Sequence, residues 1–354
     1  MDARNHMAPL LIGGVEVLPG ERKTIEIPVA RVPTAADLSM PVHVVRGKKP
    51  GPSLFVSAAV HGDEINGVEI VNRLLRTKAL ARLKGTLIAA PVVNVFGFIG
   101  YSRYLPDRRD LNRSFPGSER GSLAGRLANI FMEEVVRNAT HGIDLHTGAL
   151  HRTNLPQLRI TEGDENALEM ARHFGALVAL ESKTRDGSLR AAVAEEGVPL
   201  LVYEGGEALR FDEWAIRPGL RGVLGVMHHL GMLTRRKDVK RIEPIVASQS
   251  RWVRSPVGGI LRARVSLGSR VEQGDVIGTI GDPFGHDPTE VQAPHAGIVI
   301  GKTQLPVVNE GDALFHLLAI GDEHEEESLE PIEQWQAEVV GDGFDPEDPA
   351  GRRD

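Results

Sequence analysis

Val60-His61-Gly62-Asp63-Glu64 closes the apolar run Ser53-Leu54-Phe55-Val56-Ser57-Ala58-Ala59-Val60. The run is short, partly β-branched and preceded by Pro50-Gly51-Pro52, a pattern that predicts a buried strand. Beyond Glu64, Val68, Val71, Leu74 and Leu75 recur at helical spacing, so a helix is expected next. Strand followed by helix puts His61 and Glu64 where a parallel strand ends, which is where open α/β sheets form their ligand crevice. Taken alone, His-x-x-Glu is common in solvated loops. A histidine and a glutamate that turn onto one point need one more ligand to make a catalytic zinc site.

A candidate third ligand lies in Gly142-Ile143-Asp144-Leu145-His146-Thr147-Gly148. The segment alternates apolar and polar residues, so it reads as a strand with Asp144 and His146 on one side. Two polar side chains on the inward face of an apolar strand are poor packing elements. The competing reading is a buried histidine satisfied by a backbone carbonyl.

The 354 residues exceed one small core, and two domains plus tails is the natural division. A charged fraction of 25% and a net charge of -7 give no case for nucleic acid or an anionic membrane surface. No apolar run reaches membrane-spanning length, and Asp2 and Arg4 before the short run Pro9-Leu10-Leu11-Ile12 do not suit a cleaved signal peptide. With no cysteine, disulfides and thiolate zinc sites are excluded, which fits a cytoplasmic protein. Any transition metal must be held by His, Asp and Glu.

Along the chain, residues 15–45 read as an antiparallel lead-in. Gly85-Thr86-Leu87-Ile88-Ala89-Ala90 opens the next buried strand, and residues 97–122 form a long polar loop. Loops of that length are functional or disordered, and Phe98, Ile99, Tyr101, Tyr104, Leu105 and Phe115 favour order. Ser122 starts a helix with Leu123, Leu127, Ile130, Phe131 and Val135 on one face. Further α/β units are read at 165–174, 177–180, 189–195 and 199–203, and a final helix at 211–230 stops at Gly231. This alternation predicts a three-layer α/β sandwich around a mostly parallel mixed sheet over residues 1–245.

Residues 246–320 carry short alternating strands and glycine turns instead. Val271-Glu272-Gln273-Gly274-Asp275 is echoed by Val308-Asn309-Glu310-Gly311-Asp312, and Ser255-Pro256 by Ala293-Pro294. Two matched half-motifs in one order predict a small quasi-symmetric all-β barrel or sandwich. It resembles a biotinyl/lipoyl-type domain, but the hairpin Gly281 to Pro288 lacks the lysine that such carriers modify there. Residues 321–354 are acidic and polar and read as a mobile tail.

Four motifs stand in order: His61-Gly62-Asp63-Glu64, Asp110-Leu111-Asn112-Arg113, Asp144-Leu145-His146-Thr147-Gly148 and Tyr203-Glu204-Gly205-Gly206. In that order they resemble the succinylglutamate desuccinylase/aspartoacylase family, which is similar to the zinc carboxypeptidases. The resemblance implies that His61, Glu64 and His146 bind one zinc ion, with water completing its coordination. It implies that Glu204, after the apolar strand 199–203, is the general base, with Glu207 its near competitor. Arg103 matches the family's oxyanion-stabilising arginine, with Arg108 and Arg109 as competitors. Asn112 and Arg113 match the pair that grips a substrate carboxylate. Asp144 is expected to support a ligand rather than bind metal. His228 and His229 close a helix, and His43, His173, His286, His295 and His316 lack a partner at ligand spacing, so they are read as structural.

The expectation is a zinc amidohydrolase that cleaves a small N-acyl amino acid, with the second domain as a wall or lid. It has no nucleic-acid or membrane partner and could form a homo-oligomer. The rivals are a carboxypeptidase acting on peptides and a non-catalytic binding module.

Overall fold

The computed structural model describes residues 9–234, 243–286 and 288–319; the tail expected at 321–354 lies outside them. Two hairpins lead in, Leu10–Ile12 with Val15–Val17 and Arg22–Arg31 with Asp37–Arg46. The second hairpin joins a large mixed sheet.

Four parallel strands form the middle of that sheet, in the order Lys84–Ala90, Lys49–Ala58, His141–Gly148 and Leu200–Glu207. Parallel pairing of this kind requires crossovers, and the helix Asn66–Arg76 supplies the first. Successive residues of the central strands serve opposite cores. Phe55, Ile88 and Leu200 pack with Phe131 of the helix Leu123–Glu134 on one face. Leu54, Val56, Leu87 and Leu201 pack on the other, under the helices Asn66–Arg76, Glu165–Phe174 and Glu213–His229. A period of two on strands buried on both faces gives the three layers. Phe55 meets Phe131 edge-on, with ring centroids 6.0 Å apart. Its ring fits because Gly142 on the next strand has no Cβ, which would stand 2.3 Å from it. Burying such a ring contributes about 1.5–3 kcal/mol.

Outside the middle the pairing is mixed: Asp37–Arg46 joins Lys84–Ala90 antiparallel, whereas Val178–Ser182 pairs parallel with both Arg152–Thr161 and Ile245–Ala247, and the antiparallel run is in the β region. The strand Arg152–Thr161, which the sequence reading passed over, runs antiparallel to Leu200–Glu207. Its other side pairs both with Val178–Ser182 and, antiparallel, with Gly297–Thr303 of the C-terminal β region. Gly301 faces Asn154 and Thr303 faces Arg152 across that junction. The sheet therefore continues into the β region through Ala313–Ala319 and Ser250–Arg254.

Within the β region the internal echo of the sequence becomes a hydrogen-bonded one. Gly259–Ala263 pairs with Val276–Gly281, and Gly297–Thr303 with Ala313–Ala319. Each half's short strand then crosses over: Arg270–Val271 pairs with Gly297–Thr303, and Val307–Val308 with Gly259–Ala263. At the two turns Gly274 N donates to Ala293 O at 2.9 Å and Gly311 N to Ser255 O at 2.8 Å. Both glycines have positive φ, +90° and +83°, which a Cβ would strain.

Candidate metal centre and its cleft

The strand Lys49–Ala58 ends two residues before the His61 loop, and the helix begins at Asn66. Gly62 lets this loop approach the short helix Val95–Ile99, since a Cβ there would lie 2.0 Å from the Gly97 carbonyl carbon. His146 and Asp144 stand on the neighbouring strand, and Glu204 lies in register beside His146. Parallel pairing thus gathers three separate motifs at one end of the sheet.

His61, Glu64 and His146 are buried, and their ligand atoms lie close enough together to hold one metal ion. His61 Nδ1 is 2.7 Å from Glu64 Oε1, and His146 Nδ1 is 2.7 Å from Glu64 Oε2. The second nitrogen of each ring also faces a carboxylate: Asp110 Oδ1 at 3.2 Å from His61 Nε2, and Asp144 Oδ2 at 2.7 Å from His146 Nε2. Ser57 donates to the other oxygen of Asp144 at 2.7 Å. Once each Nε2–H donates outward, each Nδ1 lone pair points at the Glu64 carboxylate. Such a contact is repulsive unless a proton or a cation lies between. Burial opposes protonation of the rings, but Glu64 and Asp110 raise the affinity of His61 for protons, and Asp144 and Glu64 that of His146; at His61, Arg103 Nη1 also reaches Nδ1 at 3.2 Å. Burial likewise opposes the charge on Glu64, and the two rings outweigh it and hold its carboxyl well below the usual range. Three carboxylates against the Arg103 guanidinium leave room for a divalent cation, so the donor set fits zinc, with His-Nε2–carboxylate contacts orienting the rings.

Arg103 lies against this group. It donates to Glu64 Oε1 at 3.2 Å and through Nε and Nη2 to Asp110 Oδ2 at 3.2 and 3.0 Å. Arg108 and Arg109 are exposed and do not line the cleft. Asp110, at the head of the Asp110-Leu111-Asn112-Arg113 motif, bridges His61 and Arg103. It also accepts from Asn112 N at 2.9 Å, fixing the turn Leu111–Arg113.

The cleft measures about 450 Å³. Arg113 and Asn112 line it, Asn112 Oδ1 accepting from Leu189 N at the start of the helix Leu189–Glu195. Glu204 faces it, with Oε2 accepting from Asn154 at 3.0 Å and Oε1 3.4 Å from Arg159 Nε. Glu207 is buried away from it, accepting from His151 N. Ser250, Trp252 and His316 bring the β region into the wall. His316 stacks on Trp252 at 4.8 Å and lies 2.9 Å from Ser250 Oγ. Burial, then Arg159, pushes its pKa down to about 3, so it is neutral. Asn154, Arg159, Trp252 and His316 had no signal at motif spacing.

His173, read as lacking a partner, has two. Glu169 Oε1 is 3.5 Å from its Nδ1, and the His229 ring stacks on it at 3.8 Å with 24° between planes. These three residues also come within reach of one ion, but nearly parallel stacked rings do not aim their in-plane lone pairs at a common point.

No helix among the described residues is long and apolar enough to cross a membrane. Residues 50–230 match the family model of the succinylglutamate desuccinylase/aspartoacylase catalytic domain. The N-alpha-acetyl-L-2,4-diaminobutyric acid deacetylase of Halomonas elongata is 28% identical over 306 residues, covering 82% of this chain and 89% of that one. The succinylglutamate desuccinylase of Pseudomonas aeruginosa is 28% identical over 233 residues, 60% and 68% of the two chains. Among solved structures, the product-bound ectoine utilization protein of Ruegeria pomeroyi superposes with a TM-score of 0.76 at 24% identity, covering 90% of this chain and all (100%) of that one. A succinylglutamate desuccinylase/aspartoacylase of Rhodobacter sphaeroides gives 0.75 at 24% identity over 85% and 96%. With its catalytic region matched from strand Lys49–Ala58 to the end of helix Glu213–His229, this chain belongs to the succinylglutamate desuccinylase/aspartoacylase family.

Proposed function

We propose that this protein is a zinc-dependent amidohydrolase that removes the acyl group from a small N-acyl amino acid. The observation that carries this is the pair of Nδ1 atoms facing one buried carboxylate, with Glu204 across the same cleft. It agrees with the relatives, which are named as a deacetylase and a desuccinylase of N-acyl amino acids.

His61, Glu64 and His146 would hold the metal, and Asp144 and Asp110 would orient the rings. A zinc ion there polarises a carbonyl oxygen and makes water acidic enough to attack near neutral pH. Glu204 takes the proton from the attacking water on a carboxylate oxygen and returns it to the nitrogen of the scissile amide, because an amine leaves only once protonated. Asn154 holds the carboxylate of Glu204 in place. The Arg103 guanidinium supplies positive charge toward the developing oxyanion, and its tie to Asp110 keeps it aimed before the reaction. Asn112 and Arg113 bind the free carboxylate of the amino acid, Arg113 with two parallel donors.

The test is elemental analysis together with amine release from N-acyl amino acids and dipeptides. About one zinc per chain and turnover of the N-acyl amino acids are expected. A metal-free protein after mild purification, or hydrolysis confined to dipeptides, would overturn the proposal.

A further inference from the structure

The strand Ala313–Ala319 ends on the rim of a second cavity, of about 700 Å³, which Ala319 itself lines. Ala319 N donates to Gln249 O at 3.0 Å, so the end of the strand is fixed there. The cavity adjoins the cleft through Arg159, Arg185, Arg190 and Ser250, and Lys183 and Arg251 line it beyond the cleft. No Asp or Glu among the described residues lines it. Lys183, Arg185 and Arg251 are exposed, and none of them pairs with a carboxylate among those residues. Burial, then Arg159 and Arg185, lower the pKa of Arg190 to about 10, a sign that the cations crowd one another.

The sequence that follows Ala319 has the opposite charge. Asp322, Glu323, Glu325, Glu326, Glu327 and Glu330 come soon after it, and no Lys or Arg occurs from residue 320 to residue 351. Extended chain covers about 3.3–3.6 Å per residue, so Asp322 can stand about 10 Å from Ala319 and Glu327 nearly three times as far. That reach spans the cavity. A single exposed ion pair is weak, because it is solvated and screened. Tethering changes the balance, since a short linker holds its end at about millimolar effective concentration. Several carboxylates then meet several cations at once.

We infer that the acidic segment Asp322–Glu330 docks in this cavity of its own chain, with its carboxylates against Lys183, Arg185 and Arg251. Docking there covers Arg159, Arg190 and Ser250, the residues through which the cavity adjoins the cleft.

The chain has no cysteine, so a pair of introduced thiols reports the contact without background. Ser248 is exposed and lines the cavity, and Ser328 lies within the acidic segment. The full chain carrying Ser248→Cys and Ser328→Cys is oxidised with glutathione disulfide, and the intrachain disulfide is followed by gel mobility without reductant. Its formation should be independent of protein concentration. It should slow about tenfold or more in about 0.5 M salt, which screens exposed pairs. Adding Lys183→Glu and Arg251→Glu, at positions outside the cleft, should slow it as much. Further adding Glu323→Lys and Glu326→Lys should restore the rate, because the two reversals re-form the same pairs. Lys183 and Arg251 are exposed, so the melting temperature should hold. The salt series needs no cavity substitution and decides the matter even where a reversed variant fails to fold. A rate indifferent to salt and to both reversals would overturn the inference. So would disulfides between chains that grow with protein concentration, which would assign the cavity to a second copy.

Discussion

The chemistry at single residues separates holding the metal from moving a proton. Asp144 accepts from Ser57 and faces His146 Nε2, so it orients a ligand ring. Asp144→Asn should weaken zinc affinity by about 10–100-fold, read by competition with a chelator. The Glu204 carboxylate is held by Asn154 and Arg159 and not by a ligand histidine, so Glu204→Gln should keep its zinc while turnover falls about 10²–10⁴-fold. Wild-type turnover in that variant would move the proton shuttle elsewhere. Glu207 caps the His151 amide and is not exposed to the cleft, so Glu207→Gln should alter stability more than rate. At Arg113 the choice of guanidinium matters. Arg113→Lys keeps the charge but loses paired donors, and converting the substrate carboxylate to its amide should then cost the variant less than the wild type. Additive losses would show that Arg113 and that carboxylate do not meet.

At the scale of elements, the site depends on close backbone approach rather than on stiff side chains. The His61 loop lies against the helix Val95–Ile99 because position 62 lacks a Cβ. Gly62→Ala places a methyl against backbone that cannot rotate away, unlike the far end of a side chain. Overpacking of this kind costs about 1–3 kcal/mol, and the displaced loop should also loosen zinc. Thermal unfolding and chelator competition measure the two effects, and an unchanged melting temperature with full zinc affinity would disprove the argument. Ser122 shows the milder case. Its hydroxyl accepts from Gly125 N at 3.2 Å at the start of the helix Leu123–Glu134. Ser122→Ala should cost about 1 kcal/mol without touching activity.

Across the whole molecule, the C-terminal β region extends the sheet and completes the cleft. Gly297–Thr303 covers the edge of Arg152–Thr161, and Ile298, Ile300 and Leu318 pack with Leu155, Leu177 and Val178. A chain stopped at residue 245 would expose both that strand edge and that apolar cluster, the combination that invites edge-to-edge association. It would also lack Trp252 and His316 from the cleft wall. Such a fragment should therefore aggregate on expression, as size-exclusion chromatography would reveal. A monomeric, cooperatively folding fragment would show instead that the catalytic part stands alone.

The amino-acid sequence alone determined the parts of this protein that local periodicity and local motifs encode. The run 53–60 with its following helix, the alternation around His146, the Ser122 cap and the paired turns at Gly274 and Gly311 all rest on neighbours within a few residues. So do the helices at 165–174 and 189–195, whose observed limits agree with the reading. Arg152–Thr161 escaped it because Pro156 and the cleft-facing Arg152, Asn154 and Arg159 break the apolar pattern expected of a central strand. The bridge from His61 through Asp110 to Arg103 spans up to 49 residues, and the contact between Asn154 and Glu204 spans 50. Tertiary structure decided these, together with the wall of Trp252 and His316. Their positions follow from strand order and register across the sheet, which are set by the burial of the entire chain and leave no repeat along it.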